Sequence, residues 1–194
     1  MNGMLLVISG PTGAGKDKII QALLEKNKEI YIPMSFSTRT IKTSDVEEKE
    51  YNYISKKEFF KMVDQGAFLE WAEVNGNYYG TPKYPVKKAL KQGKRVLLEI
   101  DIKGALQIKE NYSDSVLIFI LPNSKAELKE NILNSKKDTV ENLRRKFDSA
   151  FNAIKSISAY NYGIINDDIN NAVIKIENII SAEECKVERL DEIL

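Results

Sequence analysis

The segment Gly10-Pro11-Thr12-Gly13-Ala14-Gly15-Lys16-Asp17 constrains this chain more than any other. An apolar run, Leu5–Ser9, leads into it, and Ile19, Ile20, Leu23 and Leu24 follow at helical spacing, so the unit reads as strand, glycine loop, helix. Its G-x-x-x-x-G-K spacing lets the backbone curl until successive N–H groups point inward at phosphate oxygens. The helix behind it adds its positive N-terminal end, and Lys16 adds a full charge near the β and γ phosphates. Gly10, Pro11, Thr12, Gly13, Ala14, Gly15, Lys16 and Asp17 are therefore candidate contacts to a nucleoside triphosphate. One position departs from the pattern. Ser or Thr is expected where Asp17 stands, its hydroxyl ligating Mg²⁺; a carboxylate is also a hard oxygen ligand, but it adds negative charge beside the phosphates.

The rest of the chain continues the alternation of strand and helix. Lys83–Lys91 reads as a helix ended by Gly93, Arg95–Asp101 as a buried strand, and Val116–Leu121 as another stopped by Pro122. Amphipathic helices are expected from Ala126 to Leu133 and from Val140 to Ile157, flanking a basic turn at Ser135-Lys136-Lys137. A short strand, Tyr162–Ile165, precedes Asn166-Asp167-Asp168, and two helical segments, about Ile169–Ile180 and Ala182–Ile193, follow. Between the first helix and Tyr84 the character changes to a stretch rich in Ser, Thr, Tyr and charge. Strand candidates Tyr51–Ile54 and Phe68–Val74 surround a helix near Lys57–Met62 there, so this stretch reads as an inserted polar lobe. The whole predicts an α/β fold with a mostly parallel sheet and helices on both faces.

Composition narrows the chemistry. Lys plus Arg (29) nearly balance Asp plus Glu (28), so no global field favours nucleic acid or an anionic membrane. Histidine is absent and Cys185 is the single cysteine, which excludes Ser-His-Asp and Cys-His catalysis, imidazole-bound metals and an internal disulfide. Carboxylates, Lys, Arg, hydroxyls and backbone amides remain. The N-terminal apolar run is too short for a signal sequence or a membrane span, so the expected location is cytoplasmic.

Further along stand Ser35-Phe36-Ser37-Thr38-Arg39-Thr40, Lys42, Asp45, Tyr51-Asn52-Tyr53, Phe68-Leu69-Glu70-Trp71-Ala72-Glu73, Gly76-Asn77-Tyr78-Tyr79-Gly80-Thr81-Pro82 and Leu98-Glu99-Ile100-Asp101 before Lys103-Gly104. In this order of motifs the chain resembles the guanylate kinase family over nearly its whole length. The resemblance implies a P-loop NTPase core with a mostly parallel five-stranded sheet flanked by helices (residues 1–34, 84–124 and 147–194), an inserted α+β GMP-binding lobe (35–83) and a helical lid (125–146). It also implies ATP and GMP as substrates, GDP as product, Mg²⁺ as cofactor, and a monomer or homodimer. Carried over by position, Arg39, Lys42, Tyr51 and Tyr79 would hold the GMP phosphate, and Ser35, Glu70, Thr81 and Asp101 would read guanine.

The chemistry of these residue types agrees. Guanine offers N–H donors at N1 and N2 and an acceptor at O6, which suit a carboxylate and a hydroxyl respectively. Adenine lacks the donor pair, so a site of buried acceptors rejects it. Glu99 and Asp101, two apart on the expected strand, would share one face, with Glu99 toward the metal or its water shell and Asp101 toward the base. Asp17 and Glu99 are thus the metal candidates. The acceptor phosphate is already ionised, so transfer needs alignment and cations rather than a strong base: Lys16, Arg39, Lys42 and, from the lid, Arg145 and Lys146. The family's lid arginines align with Asn131, Ser135 and Lys146, and Ile41, Lys42, Ser44 and Glu48 replace a usual proline, arginine and two glycines. Arg144 reads as part of a solvated helix face. Two other readings accommodate the same loop: a kinase of a phosphorylated ribose, whose relatives can carry Gly-Lys-Asp, and a non-catalytic binding module of the same fold.

Overall fold

The computed structural model describes residues 3–41, 51–133 and 140–189, with the side chains of residues 140–142 and 145 left aside. Four parallel strands form the central sheet in the order β6-β1-β7-β8: β1 (Met4–Ser9), β6 (Arg95–Glu99), β7 (Val116–Pro122) and β8 (Tyr162–Asn166). Their side chains alternate between two cores, as the period of a strand requires. On one face Leu6, Ile8, Leu97, Ile118 and Ile120 pack with Ile19 and Leu23 of α1 (Lys16–Lys26) and with Val173 and Ile176 of α7 (Ile169–Glu184). On the other, Leu5, Val7, Val96, Leu98 and Leu117 meet Val86 of α3 (Lys83–Lys91) and Ala105 and Ile108 of α4 (Ile102–Asn111). A sheet buried on both faces explains why these strands read as unbroken apolar runs.

The expected fifth strand is reduced to one residue. Tyr31 bridges Val96 in parallel, its N–H donating to Arg95 (2.8 Å) and its carbonyl accepting from Leu97 (2.9 Å). The next donor in that ladder would come from Pro33, which has no N–H, so pairing stops. Two other sequence expectations are corrected. The strand from Arg95 ends at Glu99 rather than Asp101, because Asp101 caps α4, its carboxylate accepting from the Gly104 N–H at 2.8 Å. The two C-terminal helical segments are one helix to Glu184, with no breaker at 180–182 and a short 3₁₀ turn, Val187–Arg189, beyond it. Residues 190–194 lie outside the described residues.

A second sheet, ordered β3-β2-β5-β4, is built from β2 (Phe36–Ser37), β3 (Asn52–Tyr53), β4 (Phe68–Val74) and β5 (Asn77–Pro82). Asn75 and Gly76 join β4 to β5 with φ of 53° and 78°, the pair of positive values that a two-residue hairpin of right-handed twist needs. An Asn-Gly pair between two strand segments is a hairpin signal legible in the sequence. Helix α2 (Lys56–Asp64), started by a Ser55/Glu58 capping box, lays Phe59 on this sheet, stacked on Phe68 with ring centroids 4.6 Å apart. Helices α5 (Lys125–Leu133) and α6 (Val140–Lys155) follow β7 and bury Leu128, Ile132 and Ala150 together. Among the described residues no helix is long and apolar enough to cross a membrane.

Candidate active site

The glycine loop leaves the C-terminal end of β1, where parallel α/β sheets present their ligands. Gly15 stands at the N-cap of α1 with φ 79°, and a Cβ there would lie 2.6 Å from Asn166 Nδ2. A side chain at this position is therefore excluded both by backbone strain and by space. Asn166, at the end of β8, donates to the Ala14 carbonyl at 2.9 Å, and Asn131 of α5 donates to the Gly13 carbonyl at 2.9 Å. Two sequence-distant amides thus hold the Gly13 and Ala14 carbonyls, while the Ala14 N–H donates within the loop to the Pro11 carbonyl at 3.2 Å.

Lys16 folds back over the loop, its ammonium donating to Gly10 O (3.1 Å) and Pro11 O (3.3 Å). Burial pushes its pKa below the usual lysine value, opposed by the carboxylates of Glu99 and Asp17, which favour the charged form. Both carboxylates therefore lie within electrostatic reach of the Lys16 ammonium. Asp17 is exposed in the first turn of α1, and Glu99 is exposed at the end of β6.

Two clefts flank the loop. One, of about 760 Å³, lies against Asn166, Asp167, Asp168 and the α5 residues Glu127 and Asn131. The other, of about 740 Å³, brings together Ser35, Tyr51, Glu70, Tyr79, Glu99 and Asp101. Thr12, Lys16 and Asp17 line both.

Glu70, 5% exposed, lines the second cleft, whereas Thr81, 1% exposed, is not among its lining residues and stands behind Glu70. A bulge in β4 between Phe68 and Glu70 sets Glu70 opposite Thr81, whose hydroxyl donates to its carboxylate at 2.6 Å. Burial raises the Glu70 pKa to about 7; the Thr81 hydroxyl works against this and the nearby Asp101 adds to it. Asp101 is itself raised by burial, against the opposing bond from the Gly104 N–H. The folded chain thus holds the Glu70 proton to about pH 7, whereas the unfolded chain releases it near the ordinary 4.5. Stability is expected to fall as pH rises between those two values, and Glu70→Gln should flatten that stretch in urea titrations run across it.

Arg39 lies just beyond β2, its guanidinium donating to the Tyr53 hydroxyl at 3.1 Å and standing 5.6 and 5.5 Å from the ring centres of Tyr51 and Tyr53. Tyr51 and Tyr79 meet edge to face at 5.6 Å. Arg39, Tyr51 and Tyr79 are thus gathered, with Tyr53 as a member the sequence reading passed over. Its place beside Arg39 could have been anticipated from its spacing of two from Tyr51 on an extended segment. Lys42 lies outside the described residues, as does the Arg145 side chain. Lys146, half-buried on α6, lines neither cleft in this conformation.

The family model described as guanylate kinase matches residues 2–183. The chain belongs to the guanylate kinase family. It is 50% identical over 190 residues to the guanylate kinase of Clostridium perfringens (strain SM101 / Type A), covering 98% of this chain and 88% of that protein. The guanylate kinase of Clostridium tetani is 47% identical over 188 residues, with 97% and 90% covered. A crystal structure of guanylate kinase from Anaplasma phagocytophilum superposes with a TM-score of 0.80 at 32% identity, covering 97% of this chain and 89% of that one. A shikimate kinase from Acinetobacter baumannii, at 15% identity and a TM-score of 0.51, shares the fold alone. For a guanylate kinase family member, the loop with a cleft on either side is the arrangement a phosphoryl transfer between two nucleotides requires.

Proposed function

We propose that this chain transfers the γ-phosphoryl group of ATP to GMP, with dGMP as an alternative acceptor, giving ADP and GDP for purine nucleotide metabolism. The observation that carries the reading is that Thr12, Lys16 and Asp17 line both clefts. A donor on one side and an acceptor on the other then meet across a single ammonium. ATP occupies the cleft under Asn166–Asp168, with its phosphates on N–H groups of the glycine loop and of the first turn of α1. GMP occupies the cleft of Glu70 and Asp101.

In this reading Glu70 and Asp101 accept from guanine N1–H and N2–H, and Thr81 holds Glu70 in place; Ser35 adds a hydroxyl at the rim. Tyr51, Tyr79, Arg39 and Lys42 hold the acceptor phosphate, the first three being a preassembled aromatic and cationic group. Lys16 leaves its loop carbonyls for phosphate oxygens and balances the charge that spreads over the transferring group. Its carboxylate neighbours Glu99 and Asp17 favour its charged form against burial. Residues 35–83 form the GMP-binding lobe and 125–146 the lid, which brings Arg145 and Lys146 to the transferring phosphate on closure.

Asp17 and Glu99 suit Mg²⁺. Among the described residues no cluster of three or more carboxylate, thiol or imidazole groups forms a protein-only cage. Mg²⁺ that is shared with substrate phosphates needs only one or two carboxylates and keeps several waters. Both carboxylates sit beside Lys16 on the acceptor cleft. Mg²⁺ held there would neutralise phosphate charge and fix the donor's geometry.

A coupled assay with ATP, Mg²⁺ and GMP should show GDP formation, abolished by a chelator and restored by Mg²⁺. AMP, UMP and ribose 1,5-bisphosphate serve as rival acceptors. Preferred turnover of the bisphosphate would make this a sugar-phosphate kinase, and GMP binding without ATP binding in calorimetry would make it a recognition module.

A further inference from the structure

Glu70 is held from three sides, and the third side is a missing side chain. Thr81 bonds one carboxylate oxygen at 2.6 Å, and the bulge in β4 fixes the backbone. The other oxygen faces Gly104 in the first turn of α4. A Cβ built on Gly104 would stand 3.0 Å from Glu70 Cδ, and Oε2 would lie closer still, well inside contact. The same Cβ would be 3.4 Å from Asp101 Oδ1, an ordinary contact. The conflict is therefore specific to Glu70.

One helical turn later, Gln107 grips the same strand. Its Nε2 donates to the Trp71 carbonyl at 2.7 Å, and its Oε1 accepts from the Trp71 N–H at 3.2 Å. Because β4 is the edge of the second sheet, Gln107 supplies at Trp71 both bonds that a further strand would make. Gly104 and Gln107, three apart, share a face of α4. That face takes in Glu70 through a gap and locks its neighbour Trp71 by a two-bonded amide.

We infer that the Gly104–Gln107 face of α4 determines base specificity, by setting the depth at which the Glu70 carboxylate meets the purine edge. Neither residue touches the substrate; both are positioning residues. The inference rests on the reading of Glu70 as a guanine acceptor. Any Cβ at 104 drives the carboxylate toward the cleft, because Glu70 is walled in elsewhere. There it crowds the space of the base and loses its alignment with N1–H and N2–H.

The test is steady-state kinetics of Gly104→Ala and Gln107→Ala, with GMP and AMP as acceptors and ATP varied separately. Gly104→Ala should raise the KM for GMP about tenfold and lower the GMP-to-AMP ratio of kcat/KM by a similar factor, since small misplacements of a binding group carry penalties of this order. The KM for ATP should stay unchanged. Gln107→Ala creates no overlap and should move the same two quantities in the same direction by a smaller factor. It also carries the test if Gly104→Ala does not fold. Glu70→Asp withdraws the carboxylate by one methylene, so it should cost much less in the Gly104→Ala background than alone, a non-additivity expected only of groups in contact. Unchanged GMP KM and GMP-to-AMP ratio in both α4 variants would overturn the inference, as would strict additivity with Glu70→Asp. Glu70→Gln in the same assay separates the two ideas. If it leaves discrimination unchanged, the reading of Glu70 as a guanine acceptor fails; if it collapses discrimination while the α4 variants do not, only the positioning role fails.

Discussion

Lys16→Ala is expected to lower kcat for GDP formation by roughly a thousandfold, the scale on which a preorganised charge or donor at a developing transition state contributes. GMP binding, followed by calorimetry, should be nearly unaffected. The asymmetry follows from where the side chain sits. Its ammonium rests on Gly10 and Pro11 carbonyls at 3.1 and 3.3 Å, so its removal takes no hydrogen bond from Glu70, Thr81 or Asp101. The loop should keep its shape, because Asn166 and Asn131 hold the Ala14 and Gly13 carbonyls independently of Lys16. Lys16→Arg should not rescue, since a planar fork cannot replace a compact point charge in so confined a space. A loss in kcat below tenfold would mean that the transferring group is stabilised elsewhere.

Glu70→Ala should reduce discrimination between GMP and AMP by about a hundredfold, mostly through loss of GMP turnover at low concentration. A buried acceptor that adenine leaves unpaired supplies rejection, and a site stripped of it rejects less. The substitution also frees the Thr81 hydroxyl, 1% exposed, from its partner at 2.6 Å. A modest stability loss should therefore accompany the change in specificity, partly offset because a buried carboxylate is removed as well. Discrimination that survives Glu70→Ala would pass the base-reading role to Asp101.

The phosphate loop was legible because its chemistry is local: glycine torsions, one lysine and the helix that starts behind it. The core strands were legible because burial on both faces leaves runs such as VLIFIL with no polar interruption. The boundary at Asp101 was missed for a physical reason. Glu99-Ile100-Asp101 alternates like a strand, yet an Asp three residues before Gly104 finds an unpaired helix N–H and becomes a cap. The fifth strand was overcounted because the resemblance supplies it while Pro33 withholds the donor. Tertiary partners were the least visible. Nothing near Asn166, Asn131 or Gln107 marks them as clamps, since each acts on backbone that is distant in sequence or on another element. The acceptor cleft was legible as a list of residue types, but not the bulge that brings Glu70 onto Thr81.

The amide clamp on the loop bears on how the protein is made. Asn166 holds Ala14 across 152 residues of chain. During synthesis the glycine loop leaves the ribosome 152 residues ahead of the asparagine that ends β8. N-terminal segments that form first must wait for such partners. A nascent chain of this family would then carry its most recognisable motif long before that motif can grip a nucleotide. Competence to bind would arrive abruptly, with the docking of β8, and nucleotide-dependent protection from proteolysis in stalled chains would date that moment.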